Sequence, residues 1–67
     1  MVGRNIRETR EAAGLAQDAL AHEADIHPTY LSGIETGKRN ITLKVLEQIA
    51  AALKVDEASL VRRRSES

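Results

Sequence analysis

The 67-residue chain has no cysteine, tryptophan or phenylalanine, and only one tyrosine, one proline and one methionine. Without cysteine it has no disulfides to compensate for a small core, and no thiolate framework for structural zinc. Tyr30 is the single aromatic residue, so the ring-lined cleft that a small-molecule substrate usually needs is poorly provided for. No apolar run approaches the ~18 residues of a membrane helix, and the first residues lack the apolar stretch of about 7 to 15 residues found in secretory signals. A cytoplasmic location with no membrane partner is the expectation. No sign of charge prevails either, because ten Lys and Arg balance ten Asp and Glu. Attraction to a polyanion must then come from where the charges sit, not from their sum.

What is abundant is Ala, Leu, Ile, Glu and Arg, which favour helices over strands. A chain this short buries only about 60% of its unfolded surface, so one domain spanning residues 1–67 is the ceiling. Ile6, Thr9, Arg10 and Ala13 recur at helical spacing, and Gly14 stands where a left-handed residue would close a first helix of about residues 3–13. A second helix opens near Gln17 and carries Leu20, Ala21 and Ala24. Its N-cap is Ala16, which offers no oxygen to the first amides and weakens the start by ~1 kcal/mol. Pro28 is pre-organised for the first position of a third helix, which has Leu31 and Ile34 on its apolar side and Gly37 just past its end.

Thr42 caps a fourth helix with the strongest amphipathic pattern in the chain, formed by Leu43, Leu46, Ile49, Ala50 and Leu53. Asp56 precedes a short fifth helix containing Leu60 and Val61. Arg62, Arg63 and Arg64 would complement its dipole as a solvated cluster, and residues 63–67 would trail as a tail. With no repeat or low-complexity linker, the sequence predicts an all-α, compact five-helix bundle sharing one core.

Sites for chemistry are lacking. His22 and His27 have no third ligand at helical spacing, so no metal is expected. No nucleophile and base share a site, so the sequence points to no catalytic residue, no cofactor and no enzyme.

The informative stretch is Gln17 to Thr36, where a short helix, a tight turn and a second helix occupy about residues 17–36. Small Ala21 lets two helices cross closely, as in a helix-turn-helix, with Leu20, Ile26, Leu31 and Ile34 meeting beneath the crossing. The segments Ile6-Arg7-Glu8-Thr9-Arg10, Gly14-Leu15-Ala16-Gln17, Leu20-Ala21, Tyr30-Leu31-Ser32-Gly33-Ile34-Glu35 and Gly37-Lys38-Arg39-Asn40 resemble the phage repressor and Cro family. They are most similar to the restriction-modification controller proteins within it. The resemblance spans roughly residues 3 to 55. It departs from the family pattern at Ala16, where Ser or Thr is usual, at Asp25, where Gly is usual, and at Pro28, where a polar or basic residue is common. It implies a lambda-repressor-like fold and a DNA-binding transcriptional regulator, and a salt bridge between Arg10 and Glu35 on the inward edges of their helices.

On a helical wheel the third helix turns Thr29, Ser32, Gly33 and Thr36 outward, toward a major groove. Thr29 and Ser32 can exchange hydrogen bonds with bases, while Pro28 and Gly33 offer close approach without a reading side chain. Tyr30, on the flank, either packs beside the core or reaches a phosphate. Gln17 lies at a helix N-terminus, where anions are favoured. Lys38, Arg39, Asn40 and Lys44 form a basic and polar edge, with Arg39 the candidate for guanine and Lys44 for phosphate. Val55, Leu60 and Val61 are the candidate apolar seam of a homodimer on a palindromic operator. An antitoxin with the same fold, or a helical protein-interaction module that does not bind DNA, are the alternatives.

Overall fold

The computed structural model describes residues 2–61, which form five α-helices: α1 (Val2–Ala12), α2 (Gln17–Ala24), α3 (Pro28–Glu35), α4 (Leu43–Leu53) and α5 (Glu57–Val61). The order and number match the sequence reading, and α1 starts one residue earlier. The arginine run at 62–64 and the tail at 63–67 lie outside the described residues.

The helix ends follow from local chemistry. Thr42 accepts the Val45 N–H through its hydroxyl and opens α4, whereas Ala16 makes no such bond at the start of α2. Gly14 and Gly37 turn the chain with φ of 75° and 82°. Asp25 and Lys54, at φ 61° and 60°, close α2 and α4 in the same left-handed conformation without being glycine. In both cases the next N–H reaches back to the helix, Ile26 to Ala21 O at 2.9 Å and Val55 to Ala50 O at 3.0 Å. The apolar side chains that follow the turn then pack against the core, which is the hydrophobic contact that accompanies this type of helix end.

Each helix contributes one fully buried large side chain, namely Ile6, Leu20, Leu31, Ile49 and Leu60. At about 1.5–3 kcal/mol apiece, these five anchors are the main reason the elements stay together. Ala21, also fully buried, keeps α2 close to its neighbours. Gly3 does the same for α1, because a Cβ there would collide with the Ile34 carbonyl oxygen.

Two expectations need correction. Leu43 is 66% exposed, because it lies at the edge of the α4 stripe and in the first turn, beyond the reach of the core. Leu60 was expected on a surface seam, but it is fully buried in its own protomer. Asn5, itself buried, donates from Nδ2 to the Leu60 main-chain carbonyl at 2.8 Å, which ties α5 down onto α1. Val55 is half-buried against the same core, and of the proposed seam only Val61, at 46%, is well exposed. No helix among the described residues is long and apolar enough to cross a membrane.

Candidate nucleic-acid interface

The segment from Gln17 to Glu35 places two eight-residue helices across a short turn. An α-helix such as α3, about 10–12 Å in diameter with its side chains, fits the ~12 Å width of a DNA major groove. Pro28 occupies its first turn, and His27 caps it, with Nδ1 accepting the Thr29 N–H at 3.1 Å. That role was missed in the sequence, where His27 was weighed only as a metal ligand. The signal was its position immediately before a helix-opening proline.

Leu31 and Ile34 are buried, and Thr29 and Thr36 are exposed on the other side. Ser32 and Gly33 are intermediate. The Thr36 hydroxyl donates back to Ser32 O at 2.9 Å, so it is spent on closing the helix and presents mainly its methyl group. Of the two roles open to it, Tyr30 takes the packing one, and the hydroxyl that could have reached a phosphate is bonded within the protein. Its ring packs against the core and its hydroxyl donates to Asn40 O at 3.2 Å, pinning the loop that follows α3.

Behind this face, Arg10 grips Glu35 with two hydrogen bonds, Nε to Oε2 at 2.9 Å and Nη2 to Oε1 at 3.1 Å, and its Nη1 donates to Leu15 O at 2.9 Å. The two side chains are only 11% and 3% exposed. The hydrogen bond to Glu35 holds the Arg10 guanidinium above its ordinary pKa, with burial opposing the shift. Gln17 joins this cluster by donating from Nε2 to Glu35 Oε1 at 3.0 Å. Its side-chain amide therefore fastens α2 to α3 in the DNA-free protein, and the main-chain amides of the first turn are what α2 offers to an anion.

The charges sort themselves by position. Arg4 and Arg7 pair with Glu8 and Glu11 along α1, and Arg10 pairs with Glu35, so the arginines of α1 are neutralised locally. Lys38, Arg39 and Lys44 are exposed and have no ion-pair partner among the described residues. Lys38, Arg39 and Asn40 follow α3 directly, with the Lys38 and Arg39 N–H groups both bonded to Gly33 O, and Lys44 stands in the first turn of α4. Arg39 lies closest to α3. Its guanidinium sits over the Tyr30 ring at 5.9 Å from the centroid, and its N–H donates to Gly33 O at 3.1 Å. Among the described residues, no group of three or more His, Cys, Asp or Glu is placed to hold a metal ion.

Two crossed helices with a polar, cation-bordered second helix define a helix-turn-helix domain. Residues 6–60 match the Helix-turn-helix family, and the chain belongs to it. It is 39% identical over 62 residues to Control protein C.BamHI of Bacillus amyloliquefaciens, an alignment covering 91% of this chain and 76% of that protein. The crystal structure of the restriction-modification controller protein C.AhdI from Aeromonas hydrophila superposes with a TM-score of 0.87 at 36% identity, over 88% of this chain and 89% of that one. The biofilm master regulator SinR, solved in complex with DNA, superposes with a TM-score of 0.88 at 32% identity, over 92% of this chain and all of that one.

Proposed function

We propose that the chain is a transcriptional regulator, not an enzyme, that binds a specific double-stranded DNA sequence as a homodimer on a palindromic operator, in the cytoplasm. The observation that carries this reading is that Lys38 and Arg39, tied to Gly33 O at the end of α3, and Lys44 in the first turn of α4 are exposed with no ion-pair partner among the described residues, while the arginines of α1 are held in ion pairs. These three cations supply the phosphate attraction that sequence-independent binding needs. Thr29 and Ser32 in the groove supply short-range hydrogen bonds to base edges, and Arg39 supplies the bidentate fork suited to guanine. The amides at the start of α2, beside Gln17, and Lys44 at the start of α4 hold phosphate on either side.

One α3 of eight residues reaches only a short half-site, so pairing two copies about a twofold axis is what lengthens the recognised sequence. Exposed Val61, with the edge of Val55, is the part of the C-terminal surface available for that pairing.

The test compares Arg39→Ala and Lys44→Ala on an operator selected from random duplexes and on its single-base variants, across a salt series. Arg39→Ala is expected to cost ~1–3 kcal/mol and to relax preference at one base pair. Lys44→Ala should weaken all duplexes about equally and lower the salt slope by roughly one. Binding by the parent that shows no salt dependence would sink the DNA-binding reading and favour a protein-docking role.

A further inference from the structure

Gly33 is a glycine whose own backbone does not require one. It lies inside α3, and the glycines with positive φ are Gly14 and Gly37. Inside a helix glycine is intrinsically less stable than alanine. What its missing side chain makes room for is Arg39. A Cβ built on Gly33 would lie 2.5 Å from Arg39 Cγ, 3.3 Å from its Cβ and 3.6 Å from its Cδ, and these are the three atoms it would meet first. The Gly33 carbonyl accepts the Lys38 N–H at 2.8 Å and the Arg39 N–H at 3.1 Å, so the backbone carrying that stem is tied to the same glycine. Tyr30 lies one turn back on α3, with its ring under the guanidinium and its hydroxyl bonded to the carbonyl of Asn40.

We infer that Gly33 is a positioning residue for specificity: its bare backbone and the Tyr30 ring form a seat on α3 that holds the Arg39 side chain aimed along the face bearing Thr29 and Ser32. An exposed arginine is otherwise spread over many rotamers, and ordering it on binding weakens the contact it makes. The seat restricts those rotamers before DNA arrives. This inference rests on the reading of Arg39 as the base-contacting group.

Substitution by alanine separates the seat from the fold. The colliding atoms are the Cγ, Cβ and Cδ of an exposed side chain, so a methyl group at Gly33 displaces the root of Arg39 and not a buried residue of the core. The experiment measures Gly33→Ala, Arg39→Ala and the double variant on the selected operator, its single-base variants and random duplex. It also records thermal midpoints and NMR shifts of the Arg39 side chain in the DNA-free parent, Gly33→Ala and Tyr30→Leu proteins. Gly33→Ala is expected to stay folded and to keep its affinity and salt slope on random duplex. It should lose discrimination of about 5- to 150-fold, the equivalent of one bidentate contact, at the base pair where Arg39→Ala loses it. In the Arg39→Ala background it should change nothing further. In the free protein, the Tyr30 ring-current shift of Arg39 should disappear in both Gly33→Ala and Tyr30→Leu.

Intact discrimination in Gly33→Ala beside its loss in Arg39→Ala would overturn the seat and leave the reading of Arg39 standing. Intact discrimination in Arg39→Ala would remove that reading, and the inference with it. An equal loss from Gly33→Ala in both backgrounds would mean that the methyl group meets DNA directly, which also overturns the seat. So would unchanged Arg39 resonances in Gly33→Ala, whatever that variant does to stability.

Discussion

Replacing Arg10 with alanine removes three hydrogen bonds at once, two to Glu35 and one to Leu15 O. The Glu35 carboxylate, 3% exposed, keeps only the neutral Gln17 amide among these partners. Breaking a buried ion pair from one side costs about 3–5 kcal/mol, because the remaining charge is stranded away from water. A chain of 67 residues has a total stability of about 3–10 kcal/mol, so Arg10→Ala should remove a large part of it. At roughly 4–8 °C per kcal/mol for a domain of this size, its thermal midpoint should fall by at least about 12 °C.

The control is Arg4→Ala. Arg4 also meets a glutamate at 3.0 Å, but the pair lies along one exposed helix face with 79% and 32% of the side chains accessible, and such pairs contribute about 0.3–0.5 kcal/mol. Urea and thermal denaturation of the two variants beside the parent should therefore separate them by several kcal/mol. Replacing both partners, as in Arg10→Met with Glu35→Leu, should recover most of the stability. Equal midpoints for Arg10→Ala and Arg4→Ala would refute the argument.

Ala16→Ser should add about 0.5–2 kcal/mol by supplying the missing cap of α2, since φ −71° and ψ 157° at that residue already suit an N-cap; an unchanged melting curve would count against it. Gly3→Ala should destabilise by about 1–3 kcal/mol despite its better helix propensity, because the new methyl group meets the Ile34 carbonyl. Urea midpoints decide between propensity and overlap there. Leu60→Asp should unfold the domain by burying a carboxylate in a fully enclosed site, at a cost above about 3 kcal/mol. Val61→Asp should keep the helical circular dichroism of the parent and weaken self-association in sedimentation, and an unchanged dimer would exclude Val61 from the seam.

The helices and their order were legible in the sequence because their signals are local. Pro28, Thr42 and Gly37 act on their own turns, and the spacing of Leu46, Ile49, Ala50 and Leu53 reports a buried face whatever it packs against. The helix-turn-helix stretch was legible for the same reason: Ala21, Leu31 and Ile34 state which sides are small or apolar. Arg10 and Glu35 are 25 positions apart, and their pairing came from resemblance to a family and not from spacing. Lys54 closing α4 in a left-handed conformation carried no sequence signal, since lysine has no preference that announces it.

What only the tertiary structure decided were relations between segments. The five-residue α5 is too short for its periodicity to tell an inward leucine from an outward one, and only the packing of α5 against α1 and α4 buries Leu60 in the core. Gln17 read as a free end of α2 until α3 brought Glu35 beside it. Gly33 read as a place for close approach, but only folding shows that what approaches is Arg39, six residues along the chain. Local propensities and periodicity determine which residues are helical and which side is apolar, because those depend on neighbours within a turn or two. Which partner fills a gap or meets a charge depends on how the helices are placed against one another, and that is set by the packing of the whole core.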